Sequence, residues 1–179
     1  MRIIAGKHRS RIIKTVGVDT TRETTDKVRG AIFNLLSSYR FDGRVLDLFS
    51  GSGAMGLEAL SRGCSYACFN DLNKKAYTTT LDNCKALGYN DCSFITNLDY
   101  KKALSIYNEP FNFIFLDPPY KLDCCNEIID FIDKNDLLCD DGVIVCEVDK
   151  NTKISDTPNL EIYKERDYGI RTVYILRRR

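Results

Sequence analysis

A chain of 179 residues, 44% hydrophobic and 28% charged, is long enough for one substantial core and too short for two large domains. That composition is ordinary for a soluble globular protein. No apolar run approaches the roughly 18 residues a transmembrane helix needs, and the apolar stretch near the N-terminus is too short for a signal peptide, so no membrane partner is expected.

The net charge of +1 hides an asymmetry. Residues 1–29 carry Arg2, Lys7, Arg9, Arg11, Lys14, Arg22, Lys27 and Arg29 against Asp19, Glu23 and Asp26, a local +5, so the remaining residues sum to −4. The chain ends Arg177-Arg178-Arg179. A small enzyme with a polyanion-gripping edge would show this distribution; a merely solvated basic end is the plainer alternative. Eight cysteines are scattered without metal-like spacing, Cys124 and Cys125 are adjacent, and there is one histidine. A zinc site is not expected; small buried hydrophobes in a reducing cytoplasm are.

In chain order, residues 2–5 are a short apolar strand that Gly6 to Ser10 can turn back into residues 11–14, a hairpin showing basic side chains. Residues 16–21 read as irregular. Thr24 or Thr25 can cap a helix with Asp26 in its first turn and Val28, Ile32, Leu35 and Leu36 recurring near the helical period. Gly43 marks a break. Beyond it the chain alternates: strands over 45–49, 66–70, 92–96, 111–116 and 143–147, with helices over 55–61, 74–87, 100–107 and 124–134 between them. Two further strands, 160–166 and 173–177, follow with no room for a helix, and Tyr168-Gly169 opens their turn. Four crossovers predict a mostly parallel sheet covered by helices, and the short final connection predicts an antiparallel partner at its edge.

The first alternating strand runs into Asp47-Leu48-Phe49-Ser50-Gly51-Ser52-Gly53. Glycine tolerates positive φ and lets backbone approach a ligand. No Gly-Lys-Ser/Thr follows, which excludes a P-loop. The Gly51, Gly53, Gly56 spacing formally fits a dinucleotide site. Asp71 lies 20 residues after Gly51, where a carboxylate can accept from both ribose hydroxyls of NAD or of S-adenosylmethionine. Asp47 discriminates: a carboxylate there suits a cofactor carrying an amino acid and a sulfonium, and repels a pyrophosphate. Asp99 can accept from an adenine amine or serve as a simple helix cap, and Leu98 beside it can touch the adenine face. Phe49, Ser52 and Leu72 complete the expected cofactor set.

The strand Phe113-Ile114-Phe115-Leu116 runs into Asp117-Pro118-Pro119-Tyr120. Two prolines restrict the turn, so the Asp117 carboxylate and the Pro118 carbonyl can accept from one exocyclic base amine with little entropy left to lose. Tyr120 can stack on the base. No strong base is needed first, because positive charge develops on nitrogen during attack; a carboxylate then stabilises it and takes the proton. A rigid turn without chemistry is the plainer reading.

With these motifs the chain resembles the bacterial 16S ribosomal RNA guanine-N2 methyltransferases of the RsmD type over essentially its whole length. Arg2-Ile3-Ile4-Ala5-Gly6, Arg9-Ser10-Arg11, the run Arg22-Glu23-Thr24-Thr25-Asp26-Lys27-Val28-Arg29, the stretch from Asp47 to Gly63, Asp71 and Asp117 to Tyr120 carry the resemblance. Glu23 stands for a family proline, Ser50 for an alanine and Gly30 for a glutamate. The resemblance implies a class I S-adenosylmethionine-dependent methyltransferase fold (Rossmann-like α/β), a seven-stranded sheet of order 3-2-1-4-5-7-6. It implies a basic appendage over 1–39 packed on a methyltransferase domain over 40–179. It further implies S-adenosylmethionine as cofactor without a metal, transfer to guanine N2 in 16S ribosomal RNA of an assembled or assembling small subunit, and a cytoplasmic monomer. Arg2, Lys7, Arg9, Arg11, Arg22, Lys27 and Arg29 are expected to grip RNA beside the crevice. A DNA adenine-N6 or cytosine-N4 methyltransferase shares the acidic-Pro-Pro-Tyr turn but usually needs an insertion to read duplex bases, for which no gap here is long enough. A non-catalytic RNA-binding or assembly module would need the basic edge without the three acids, and a dehydrogenase comes last for want of a hydride-relay histidine.

Overall fold

The run Phe111–Leu116 has apolar side chains on both faces, and it forms the central strand of a seven-stranded sheet. This computed structural model describes residues 1–17, 26–119 and 122–179. Its strands are β1 (Arg44–Asp47), β2 (Tyr66–Asn70), β3 (Ser93–Thr96), β4 (Phe111–Leu116), β5 (Leu138–Asp149), β6 (Leu160–Tyr168) and β7 (Arg171–Arg178). Their order is β3-β2-β1-β4-β5-β7-β6, as the resemblance implies. The pairs β1–β2, β2–β3, β1–β4 and β4–β5 are parallel; β7 runs antiparallel to both β5 and β6. Gly169, at φ 64, makes the tight β6–β7 turn.

The helices are α1 (Asp26–Leu35), α2 (Ala54–Arg62), α3 (Lys74–Leu87), α4 (Tyr100–Ser105) and α5 (Cys125–Lys134). Asn73 and Asp99 cap α3 and α4, each accepting from the backbone N–H two residues on at 2.8 and 2.9 Å. The cap expected for α1, Thr24 or Thr25, lies outside the described residues. One core layer joins α1, α2 and α3 to the sheet through Ile32, Phe33, Leu57, Cys84, Phe69 and Phe113. The other packs α4 and α5 on the opposite face through Leu104, Ile114, Ile128 and Ile144. Burying both sheet faces this way is what hydrophobic strands between amphipathic helices require.

Strand β5 begins five residues earlier than the sequence suggests. The expected strand starts at Val143, yet Leu138 already pairs with Phe111 and the register shifts before Val143 meets Phe113. A bulge absorbs the intervening residues without ending the strand. Six of the eight cysteines are buried. Burial pushes the Cys64 and Cys124 thiols up to about 12 and those of Cys68 and Cys84 up to about 11.

The N-terminal hairpin closes through an Arg2–Ile12 bridge and is built into the core rather than hung from it. Ile3 and Ile13 join the α1–α2–α3 layer. Glu58 of α2, wholly buried, accepts from the Ile4 and Ala5 N–H groups at 2.7 and 3.0 Å and from Arg62 Nε at 2.8 Å. Gly6 lies so close to α2 that a Cβ would stand 1.8 Å from the Ser61 carbonyl oxygen.

Candidate functional site

Strands β1 and β4 are neighbours whose onward connections leave in opposite directions, so their C-terminal ends flank a topological switch point. Open α/β sheets bind ligands in that crevice. The two motifs turn out on either side of it.

The turn after β1 is held from below. Asp47, 4% exposed, accepts from Gly56 N–H at 3.0 Å, tying the strand end to the first turn of α2. Burial pushes its carboxyl up to about 7, opposed by the Gly56 bond and assisted by the charges of Asp117 and Asp71. Its side chain is thus part of the turn's foundation and reaches a ligand by its field more than by open contact. Gly51 and Gly53 take φ 53 and 80. At Gly53 a Cβ would also meet Thr80 Cγ2 at 3.0 Å, and at Gly56 it would strike Phe69 Cε1 at 2.3 Å. At Gly51 it would meet nothing within 4 Å, so backbone faces open crevice there. Thr80 Oγ1 donates to the Gly51 carbonyl at 3.0 Å.

Asp71 stands at the end of β2, where Oδ2 accepts from Gly51 N–H at 2.9 Å and Oδ1 from Asn73 N–H at 2.8 Å. Burial raises its carboxyl above the ordinary value, and the Asn73 and Gly51 bonds oppose that. Each oxygen keeps acceptor capacity beyond the one bond. Asn70, buried, binds Leu98 from both ends: Nδ2 donates to the Leu98 carbonyl at 3.1 Å and Oδ1 accepts from Leu98 N–H at 3.1 Å. It fixes the segment carrying Leu98 and Asp99. Phe49, Leu98 and Tyr100 form a partly buried apolar wall, with the Phe49 and Tyr100 rings 5.8 Å apart. Leu72 projects from the rim, 71% exposed. Ser52 departs from expectation: its hydroxyl is buried and donates toward Met1 Sδ at 3.8 Å, so it can offer a ligand only backbone. Asn70, Thr80 and Tyr100 had no motif to announce them.

An adenosine bearing a sulfonium and an amino acid fits these groups. Open backbone lies at Gly51, a carboxylate with spare lone pairs at Asp71, and an apolar wall at Phe49 and Leu98.

Across the switch point, Asp117 is half-buried, Pro118 buried and Pro119 exposed; Tyr120 lies outside the described residues. Arg171 of β7 reaches Asp117 Oδ1 at 3.7 Å and pairs with Glu147 of β5. Both partners are deeply placed, Arg171 with 11% of its side chain exposed and Glu147 with 4%. Neither was anticipated. Glu147 could have been noticed as an acid inside the apolar run 143–148; Arg171 depends on the antiparallel return of β7.

The basic residues divide. Arg2, Lys7, Arg9, Arg11 and Lys27 are exposed, and Arg22 lies outside the described residues. Arg29 is a correction: it is wholly buried, its guanidinium donating to the Arg2 carbonyl and pairing with Asp26 at 3.0 Å. The helical period puts it on the inner face of α1 with Ile32 and Phe33, so it anchors the hairpin instead of presenting charge. A second correction concerns position. Lys7 N–H donates to the Ser61 carbonyl at 2.7 Å, so the hairpin tip lies at the far end of α2, about 10 Å down the helix from the crevice at 1.5 Å per residue. Among the described residues, it is the open end of the hairpin that stands by the glycine turn: Met1 Sδ lies against the Ser52 hydroxyl, and Asn83 donates to both the Lys14 and the Ser52 carbonyls. The terminal arginines also lie at the far end of the sheet and are ion-paired: Arg177 with Glu161, Arg178 with Asp136 and Asp140, Arg179 with Asp156.

Among the described residues, no group of three or more His, Cys, Asp or Glu is placed to hold a metal ion, and no helix is long and apolar enough to cross a membrane.

The family described as "Conserved hypothetical protein 95" matches residues 1–177. YlbH of Bacillus subtilis (strain 168) is 38% identical over 183 residues, covering all of both chains. "Ribosomal RNA small subunit methyltransferase D" of Escherichia coli (strain K12) is 31% identical over 94% of this chain and 85% of its own. Among solved structures, the Escherichia coli yhhF protein superposes with a TM-score of 0.88 at 28% identity, covering 99% of this chain and 97% of that one.

Proposed function

The chain belongs to the conserved hypothetical protein 95 family, and from that premise we propose that it is a methyltransferase acting on the exocyclic N2 of a guanine in 16S ribosomal RNA, with S-adenosylmethionine as methyl donor. The observation that carries this reading is the placement of Asp117-Pro118 directly across the switch point from the Gly51 turn and Asp71. Relatives covering nearly the whole chain that bear the name ribosomal RNA small subunit methyltransferase support the choice of RNA over DNA.

When bound, S-adenosylmethionine supplies an electrophilic methyl group. Asp71, Gly51, Gly53, Phe49 and Leu98 would hold it, with Asp47 setting the field and Asp99 and Leu72 at the adenine end. Asp117 Oδ and the Pro118 carbonyl accept from the two hydrogens of the guanine amine and turn the nitrogen lone pair into the crevice. That orientation removes much of the entropic barrier. As positive charge grows on nitrogen, the Asp117 carboxylate stabilises it and accepts the departing proton. Tyr120 would stack on the base. Residues 1–39 would act as the RNA-gripping appendage of the 40–179 domain, through Arg2, Lys7, Arg9, Arg11, Arg22 and Lys27, within a small ribosomal subunit in the cytoplasm and as a monomer.

The test is radiolabelled methyl transfer to small subunits from cells lacking the enzyme, followed by nucleoside analysis. N2-methylguanosine is expected. Label in N6-methyladenosine would overturn the base, label entering duplex DNA but not RNA would overturn the substrate, and no transfer to any nucleic acid would overturn the enzyme.

A further inference from the structure

Three adjacent strands each bring one charged side chain to the crevice end of the sheet: Asp117 after β4, Glu147 on β5 and Arg171 on β7. Glu147 and Arg171 are far more enclosed than Asp117. Taking a carboxylate and a guanidinium out of water carries a large desolvation cost, so such a pair is weak evidence for stability and calls for another reason to be there. The direction of the pair supplies one. Glu147 lies beneath and grips Arg171, and the same Arg171 nitrogen, Nη1, lies 3.7 Å from Asp117 Oδ1, on the outer side of the pair. Glu147 also lines a small hollow with Pro118, Pro119 and Cys125, so the acid sits directly behind the proline turn.

We propose that Arg171, seated on Glu147, is a positioning residue for the reaction: it orients the Asp117 carboxylate toward the base amine. The proposal rests on the methyltransferase reading above. A carboxylate on a proline-restricted turn still has its own χ rotations; a guanidinium nitrogen 3.7 Å from one oxygen attracts that oxygen and favours the rotamers that hold it on the β7 side of the turn. The charge of Arg171 also opposes the repulsion Asp117 feels from neighbouring acids. The titratable groups that face Asp117 include Asp47 at the end of β1, Cys146 and Glu147 on β5, and Arg171 on β7.

Two substitutions test this by pushing the same carboxylate in opposite directions. Arg171→Gln removes the cation beside Asp117, so the acid limb of the pH–rate profile should move up. Glu147→Gln keeps Arg171 but removes its competing anion, so the acid limb should move down. Single-turnover methyl transfer by Arg171→Gln at neutral pH should fall about 10- to 100-fold, the loss expected from a slightly misplaced reacting group. S-adenosylmethionine affinity by calorimetry should stay within about twofold in both variants, because neither touches the glycine turn.

In an Asp117→Ala background, Arg171→Gln should cost nothing further, because the group it acts through is gone. The same fractional loss with and without Asp117, or acid limbs that move in the same direction, would overturn the proposal. If Arg171→Gln fails to fold, Glu147→Gln alone decides: an unmoved acid limb overturns it and a downward shift supports it. Wild-type protein that transfers no methyl group to small subunits would instead sink the parent reading, and is distinguishable because it is seen before any substitution is made.

Discussion

Two turns leave adjacent central strands at the same end of the sheet, each beginning with an aspartate, and they use it in opposite ways. Asp47 is turned inward, buried and bonded to the backbone of α2. Asp117 is turned outward, a third exposed and met by a guanidinium. The first turn gains access for a ligand by giving up side chains: Gly51 and Gly53 adopt positive φ, and Gly51 opens onto space. The second gains aim by giving up freedom, with two prolines that restrict the carboxylate. An acid at a strand end therefore has no fixed meaning. Whether it supports a turn or presents charge depends on which way the following residues send it.

The sharpest way to separate the two is Asp117→Ala. It should fold, bind S-adenosylmethionine and lose about 10²–10⁴ in methyl-transfer rate, the span of a positioned charge-stabilising or proton-accepting group. Single-turnover kinetics beside calorimetry would show it; loss of cofactor affinity in step with rate would merge the two turns into one function.

Asp47→Asn should act on stability. Its folded value, about 7, lies above the ordinary 3.8, so the native state holds a proton that the unfolded chain gives up. Stability therefore falls as pH rises from about 4 to about 7 and levels beyond. The asparagine should raise stability by up to about 4 kcal/mol at pH 8, because each tenfold difference in proton affinity between folded and unfolded chain is worth about 1.4 kcal/mol, and by little at pH 4. Urea unfolding at both values checks this, and an equal effect at both would mean that burial does not burden the carboxylate.

Asp71→Ala should weaken S-adenosylmethionine binding by about 1.5–3 kcal/mol, the worth of charge-assisted hydrogen bonds. It also frees the Gly51 and Asn73 amides, so the glycine turn should show faster hydrogen exchange. Unchanged affinity would remove the acid from the cofactor's contacts. Arg9→Ala combined with Arg11→Ala should lower RNA affinity by roughly tenfold and flatten its salt dependence, leaving cofactor affinity alone. An undiminished RNA affinity would move RNA contact off the hairpin tip, which lies at the far end of α2.

The smallest change lies away from both turns. Gly30 sits inside α1, where a Cβ would meet only Ile4 Cδ1 at an ordinary 3.7 Å. Gly30→Ala should stabilise by about 0.5–1 kcal/mol through helix propensity and unfolded-state entropy, with methyl transfer unchanged. A thermal melt that falls instead would mean the hairpin cannot yield at Ile4.

Much of this was legible in sequence because local chemistry writes it there. Alternating apolar strands and amphipathic helices dictate a parallel sheet. Glycines at positions 51 and 53 announce a turn of positive φ that most side chains disfavour, and Asp117-Pro118-Pro119 announces a restricted one. Each signal lies within a few residues of its own cause. Arg29 misled because charge in a basic segment looks exposed until the helix face is known, and on α1 it shares the inner face with Ile32 and Phe33. The hairpin's reach misled for a related reason: its position depends on Glu58 and Ser61, more than 50 residues away. Asp117 was announced by its prolines and Glu147 stands out as an acid in an apolar run, but their meeting at Arg171 carried no signal, since nothing local links positions 117, 147 and 171. Sequence determined which elements form and which turns can hold chemistry, because propensity, periodicity and φ restriction act locally. Tertiary structure decided which charges face the crevice and which partner they meet there, because strand order and the antiparallel return of β7 bring together residues that the chain keeps apart.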